Sequence, residues 1–255
     1  MSNSITNKSL MTHIVLGYPS LEHGKELISA MADAGVDYIE LQIPFTDPIA
    51  DGKTILNANQ AALKNNVSVA DCFNFAKEMT SSYKTIDFLF MTYYNIVFNT
   101  KIEKFIKDSS KAGMYGLIVP DITPEEDRED FFLTCKKYSQ HPVYVFSPTT
   151  SEKRLRNIKK VASGFTYCTS RVGTTGAGKK PHEHLKNYII DARKIIDLPI
   201  AVGFGIDSAS SAKRISEFAD IIVIGSKILN IMDESGNRFV NDVYKFLYNI
   251  KKSIS

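Results

Sequence analysis

The stretch "YIELQIPFTDPIADGKT", residues 38–54, carries three carboxylates, Glu40, Asp47 and Asp51. Glu40 sits inside an apolar, strand-like run, where a carboxylate is costly unless it is paired or hydrogen-bonded. Strand side chains alternate, so Tyr38, Glu40, Gln42 and Pro44 share one face, and Ile39, Leu41 and Ile43 share the other. The aliphatic face suits packing against helices, which turns Glu40 to the opposite side. With apolar neighbours and little water, such a carboxyl is a candidate for proton exchange near neutrality. A structural Glu would need a buried Lys or Arg, and the strand-like runs contain neither. Asp47 and Asp51 fall in a loop rich in turn dipeptides, Asp-Pro and Asp-Gly, so local physics alone does not separate turn from site. Asp51 gains weight by sharing the strand-end loop that follows Glu40.

A second constellation is rich in glycine: "GTTGAG" (173–178), "GFGI" (203–206) and "IGSKIL" (224–229). Glycine lets backbone N–H groups approach an anion closely, and a helix starting at Ser226 would aim its positive end at the same point. The chemistry implied is phosphate binding. Other candidates are weaker. "HEH" (182–184) lacks further metal ligands and reads as a solvated loop, as does "KK" (179–180). Tyr93, in "MTYYN", reads equally as core or as a pocket wall. No nucleophile motif, P-loop or dinucleotide fingerprint is present.

The elements that must position these residues follow from periodicity. Eight apolar or β-branched runs read as strands: 13–19, 37–43, 87–94, 116–121, 142–147, 165–170, 199–205 and 220–226. Between them lie helical patterns such as "LEHGKELISAMADAG" and "SAKRISEF". Eight alternating βα units predict a single (β/α)8 TIM barrel over residues 1–255, in preference to a doubly wound sheet, whose glycine-rich first turn is missing. Strand spacing is about 20 to 30 residues, with longer gaps of roughly 50 after the second strand and roughly 35 after the sixth. Extra length in a barrel gathers in loops at the carboxyl ends of strands, where barrels place their chemistry. The carboxylate stretch opens the first long gap and "RVGTTGAGKKPHEH" opens the second.

Composition narrows the class. A hydrophobic fraction of 44% in 255 residues supports a sizeable core, and a net charge of +3 without a basic patch gives no reason to expect nucleic acid. Three widely spaced cysteines fit reduced thiols in the cytoplasm better than a disulfide framework. No apolar run suggests a signal peptide or a membrane span.

The ordered motifs "VLGYPS", "IELQIPFTDPIADGKTIL", "MTYYNIVF", "LIVPDITPEE", "FTYCTSRVGTTGA", "VGFGI" and "IGSKI" together resemble the α subunit of tryptophan synthase, whose signature reads "LELG(V/I)PFSDPLADGPTIQ". The resemblance spans almost the whole chain. It implies an eight-fold barrel, a carbon–carbon lyase that cleaves indole-3-glycerol phosphate to indole and glyceraldehyde 3-phosphate, and a place in tryptophan biosynthesis. It implies Glu40 as acid/base, Asp51 as second catalytic carboxylate and Tyr167 as a residue near the substrate. By the same resemblance Gly176, Gly205, Gly225 and Ser226 hold phosphate, and His13, Gln42, Tyr93, Ile118, Pro120 and Phe204 surround the indole ring. It implies no cofactor or metal in this chain. The implied partner is a β subunit that carries pyridoxal phosphate, in an α2β2 heterotetramer.

Three residues depart from the family pattern: Gln42 for a Gly, Lys53 for a Pro and His13 for a Phe. Gln42 is expected either to hydrogen-bond Glu40 or to occupy space beside the indole. The departures keep two further readings open, a regulatory barrel that acts chiefly on the β chain and a stand-alone lyase that releases free indole.

Overall fold

The computed structural model describes residues 8–127, 130–169, 181–203 and 205–255. Eight strands close in sequence order into an all-parallel barrel. They are β1 (Ser9–Val15), β2 (Tyr38–Gln42), β3 (Asp87–Met91), β4 (Gly116–Ile118), β5 (His141–Phe146), β6 (Thr166–Thr169), β7 (Ile200–Gly203) and β8 (Ile221–Ile224). The helices are α1 (Leu21–Asp33), α2 (Lys53–Lys64), α3 (Val69–Ser82), α4 (Tyr94–Thr100), α5 (Ile102–Lys111), α6 (Phe131–Lys137), α7 (Glu152–Val161), α8 (Pro181–Ala192), α9 (Ala209–Ser216), α10 (Ser226–Ser235) and α11 (Phe239–Ile254). The expected (β/α)8 architecture is what the chain forms. No described helix is long and apolar enough to cross a membrane.

Alternation along the strands sorts the core into two layers. Ile39, Leu41 and Ile43 join the large cluster between sheet and helices, while Leu89, Met91, Ile118, Val143, Phe165 and Val223 fill the barrel interior. The interior is closed toward the amino ends of the strands by aromatic contacts, Tyr38 on Phe165 at 5.5 Å and Tyr115 on Phe165 at 6.5 Å between centroids. With that end filled, the described cavity of the barrel opens toward the carboxyl ends.

The first long gap holds two helices. α3 starts with a capping box in which Ser68 and Asp71 satisfy each other's backbone N–H groups, so a new helix begins after α2 ends at Lys64. After β8 the chain adds α10, a short 3-10 turn (Gly236–Arg238) and α11, which packs on α1, α9 and α10.

Expectations about the limits of three strands are corrected. The first strand begins at Ser9 rather than His13, because Leu10 and Met11 are fully buried, both pair with β8, and Met11 also pairs with β2. It also stops earlier, at Val15, and Gly17 with φ of 84° turns the chain. The third and fourth strands end at Met91 and Ile118, short of 94 and 121. Their apolar runs continue into strand-end loops, where Pro120 lines the site and Tyr93 stands behind Asp51, instead of extending the sheet.

Candidate active site

A cavity of about 490 Å³ opens at the carboxyl ends of the strands, a size suited to a small-molecule ligand. Apolar side chains, among them Met91, Ile118, Val145 and Val223, line one part of it, and Glu40 and Asp51 contribute carboxylates. Gly203, Gly205, Gly225, Ser226 and Lys227 line another part.

Glu40 is 3% exposed and points inward as its strand face requires. Its partner is neither Lys nor Arg but His13. The β1–β2 register sets His13 directly opposite Glu40, and the imidazole Nδ1 lies 3.3 Å from Glu40 Oε2. Burial by itself would lower the imidazole pKa, but the charge and hydrogen-bonding capacity of Glu40 oppose it. The Asp51 charge and the nearby Gln42 side chain add to that effect, and the net result is a value above the ordinary one.

Asp51 is fixed from the barrel side. Gln42 Nε2 donates to Asp51 Oδ2 at 2.6 Å, and the Tyr93 hydroxyl donates to the same oxygen at 3.0 Å. The Ala50 N–H in turn donates to the Tyr93 hydroxyl oxygen at 3.0 Å, and the Tyr93 ring stacks on Phe45 at 5.1 Å. Gln42 is fully buried, so its amide must be oriented by its partners, and a carboxylate accepts only from the nitrogen end. The two placements expected for Gln42 are therefore replaced by a third: it binds the loop carboxylate. Gln42 and Tyr93 stand behind Asp51 rather than lining the cavity. Asp47 is exposed, accepts from the Thr46 hydroxyl at 3.0 Å, and shapes the turn. Lys53 is the exposed first residue of α2.

At the glycine end, Gly225 precedes the first turn of α10, so the free N–H groups and positive end of that helix meet the cavity beside Ser226. Gly205 has a φ of 52°, a left-handed conformation that favours glycine, and no atom lies within 4 Å of where a Cβ would stand. Gly203 is needed for close packing: a Cβ there would lie 2.7 Å from the Tyr167 hydroxyl oxygen. Tyr167 itself lines the cavity, and burial, followed by the charges of Glu40 and Asp51, pushes its phenol well above the ordinary range.

Of the residues singled out in the sequence, Glu40, Asp51, Tyr167, His13, Ile118, Pro120, Gly205, Gly225 and Ser226 converge on this one cavity. Gly176 and Phe204 lie outside the described residues. Ile55, Thr169 and Lys227 also line the cavity and were not anticipated. Lys227 had a signal, since it is the second residue of a helix expected to start at Ser226; Ile55 depends on how α2 docks, which periodicity alone does not give. Among the described residues no group of three or more His, Cys, Asp or Glu is placed to hold a metal ion.

Comparison with known proteins agrees with this geometry. The family model described as "Tryptophan synthase alpha chain" matches residues 2–254. The tryptophan synthase alpha chain of Desulfotalea psychrophila is 46% identical over 231 residues, 91% of this chain and 90% of its own. That of Petrotoga mobilis is 40% identical over 248 residues, 96% of this chain and 95% of its own. The crystal structure of tryptophan synthase subunit alpha from Legionella pneumophila superposes with a TM-score of 0.88 at 28% identity, covering 97% of this chain and 92% of that one. With a shared fold, a site built where the motifs place it and a match over nearly its full length, the chain belongs to the tryptophan synthase alpha chain family.

Proposed function

We propose that this chain cleaves indole-3-glycerol phosphate to indole and glyceraldehyde 3-phosphate, with Glu40 and Asp51 as its working carboxylates. The observation that carries the assignment of residues is the convergence of Glu40, Asp51 and the Gly205–Gly225–Ser226 end on one cavity.

The reaction is a retro-aldol cleavage and needs an electron sink. Protonation of indole C3 makes the ring its own sink, so the residues have only to move protons and hold charge. Glu40 delivers the proton to C3 and takes the one from the glycerol hydroxyl, a role that suits a carboxyl on a rigid strand. Asp51 accepts a hydrogen bond from the ring N–H and stabilises the positive charge that develops there. The N-terminus of α10 with Gly205, Gly225 and Ser226 receives the phosphate, and Lys227 adds a cation to that end. Ile118 and Pro120 give the ring an apolar wall.

The family implies a β-subunit partner. We place the pyridoxal phosphate of the complete synthase in that partner and read the assembly as α2β2. Support comes from the strand-end face, where Ile49 is 71% exposed two residues from Asp51 and Phe98 is 51% exposed on α4. We also read the enzyme as cytoplasmic; that Cys72, Cys135 and Cys168 are free and buried supports this reading.

The test is release of indole from indole-3-glycerol phosphate by the chain alone and with the β chain, beside Glu40→Gln. Slow release alone, acceleration by the β chain and loss in Glu40→Gln are expected. Stimulation of the β chain without any cleavage would instead establish a regulatory barrel, and full activity alone a stand-alone lyase.

A further inference from the structure

Resting on the reading of Glu40 as the acid–base group, we infer that His13 and Glu40 act as one unit holding a single proton, and that the imidazole resupplies Glu40 as it protonates the substrate. Four observations carry this. The two residues are register partners on adjacent strands, so their approach is fixed by the sheet and not by flexible side chains. Nδ1 and Oε2 lie 3.3 Å apart as an ion pair, and Oε2 is buried with no hydrogen-bond partner, so a small turn of the ring aligns Nδ1–H with it for transfer. The side chains are 5% and 4% exposed, which keeps solvent from supplying or removing that proton freely. Both line the cavity, so the pair meets the ligand directly.

A carboxyl that serves as acid and base in one turnover must be protonated at one moment and ionised at the next. A lone buried Glu meets this only if its own affinity for protons matches the working pH. A neighbouring imidazole relaxes that demand, because imidazolium–carboxylate and imidazole–carboxylic acid contain the same proton. In the forward step the Nδ1–H bond breaks and an Oε2–H bond forms, cancelling both charges. Glu40 then passes this proton to C3 of the indole ring. Its carboxylate removes the hydroxyl proton as the carbon–carbon bond breaks, the electron pair returns to the ring and the aldehyde forms. The proton goes back to Nδ1 and the pair is restored.

The other titratable groups lining this cavity among the described residues are Asp51 on the β2–α2 loop, Tyr167 on β6 and Lys227 at the start of α10. Asp51 and Glu40 both favour the protonated imidazole.

The test compares the wild-type chain, His13→Gln and Glu40→Gln, each with its β partner, by kcat and KM for indole release across pH and by NMR titration of the His13 ring. Glutamine keeps a hydrogen-bond donor toward Glu40 but has no proton to give. His13→Gln is expected to lower kcat at about pH 8 at least tenfold, with KM within about twofold and the alkaline limb moved to lower pH by about one unit or more. The His13 ring is expected to titrate at least about one pH unit lower in Glu40→Gln, where its carboxylate is gone. A wild-type kcat profile in His13→Gln would reduce His13 to a hydrogen-bond donor and overturn the inference, as would an unchanged His13 titration in Glu40→Gln. The titration stands even if His13→Gln fails to fold. Indole release that survives Glu40→Gln would sink the underlying reading of Glu40 instead, a distinct result.

Discussion

Gln42 on β2 donates its amide to Asp51, nine residues further along the chain, at 2.6 Å, and so ties a strand-end loop to the barrel wall. Tyr93, arriving from the end of β3, donates to the same carboxylate oxygen at 3.0 Å. Asp51 is thus placed by one donor on β2 and one on the loop that follows β3. Ordering a loop costs conformational entropy, and a loop already held when the ligand arrives avoids part of that cost on binding.

Replacing Gln42 with Met keeps the volume of the side chain and removes the donor. Asp51 then loses a charge-assisted hydrogen bond, worth about 1–2 kcal/mol for a partly exposed carboxylate. Indole release by the isolated chain is expected to fall roughly tenfold, with part of the loss recovered when the β chain is added. Steady-state rates with and without the β chain decide this. An undiminished rate for the isolated variant would show that Asp51 needs no anchor from β2.

Tyr93→Phe cuts deeper into the same network while leaving the ring stacked on Phe45. It removes the bond to Asp51 and strands the Ala50 N–H, which has the Tyr93 hydroxyl as its acceptor. A stability loss of about 1–3 kcal/mol and a lower kcat are expected together. A urea titration paired with the activity assay checks both. If Tyr93→Phe lowers kcat while stability is unchanged, the hydroxyl serves the loop only in the liganded state.

How far the site was legible in the sequence depended on whether its geometry is local. Glu40 announced itself because a carboxylate in an alternating strand breaks a two-residue pattern, and the register of β2 turns it inward as that pattern requires. Gly205 and Gly225, which reach the cavity, were legible because they follow two consecutive late strands, β7 and β8. The His13–Glu40 pair was not, because its cause is the alignment of β1 against β2. With the first strand drawn four residues late, His13 stood at its beginning, whereas the observed strand starts at Ser9 and carries His13 toward its carboxyl end. Gln42 was expected on Glu40 or beside the indole for a similar reason. Its side chain shares that face, but the fold of the following loop brings Asp51 back over it, and no periodicity encodes that return.

Gly203 and Gly205 separate two uses of glycine two residues apart. A Cβ at Gly203 would meet the Tyr167 hydroxyl oxygen at 2.7 Å and its Cε2 at 3.2 Å, so Gly203→Ala displaces the phenol from its place in the cavity. Gly205→Ala meets no atom within 4 Å, and its cost is the left-handed backbone, about 1–2 kcal/mol. Gly203→Ala is expected to lower kcat at least tenfold. Gly205→Ala is expected mainly to raise KM and to weaken inhibition by inorganic phosphate. Equal effects of the two on phosphate inhibition would remove Gly205 from the phosphate end.

The buried imidazole also ties folding stability to pH. His13 has a pKa above its ordinary value in the folded chain, so between about pH 6.5 and that raised value the folded state binds more protons than the unfolded one. Its contribution is fully present below about pH 6.5 and is lost as pH rises through the folded value, with a slope of at most about 1.4 kcal/mol per pH unit. His141, which burial shifts below its ordinary value, contributes the opposite slope as pH rises toward about 6.5. The difference between wild type and His13→Gln cancels that contribution and isolates His13. Urea midpoints at about pH 6, 7 and 8 are expected to converge for the two proteins as pH rises, because wild type alone loses the imidazolium–carboxylate attraction. Parallel curves across this range would mean that His13 gains no proton on folding, and the attraction between imidazolium and Glu40 would then contribute nothing to the stability of the barrel.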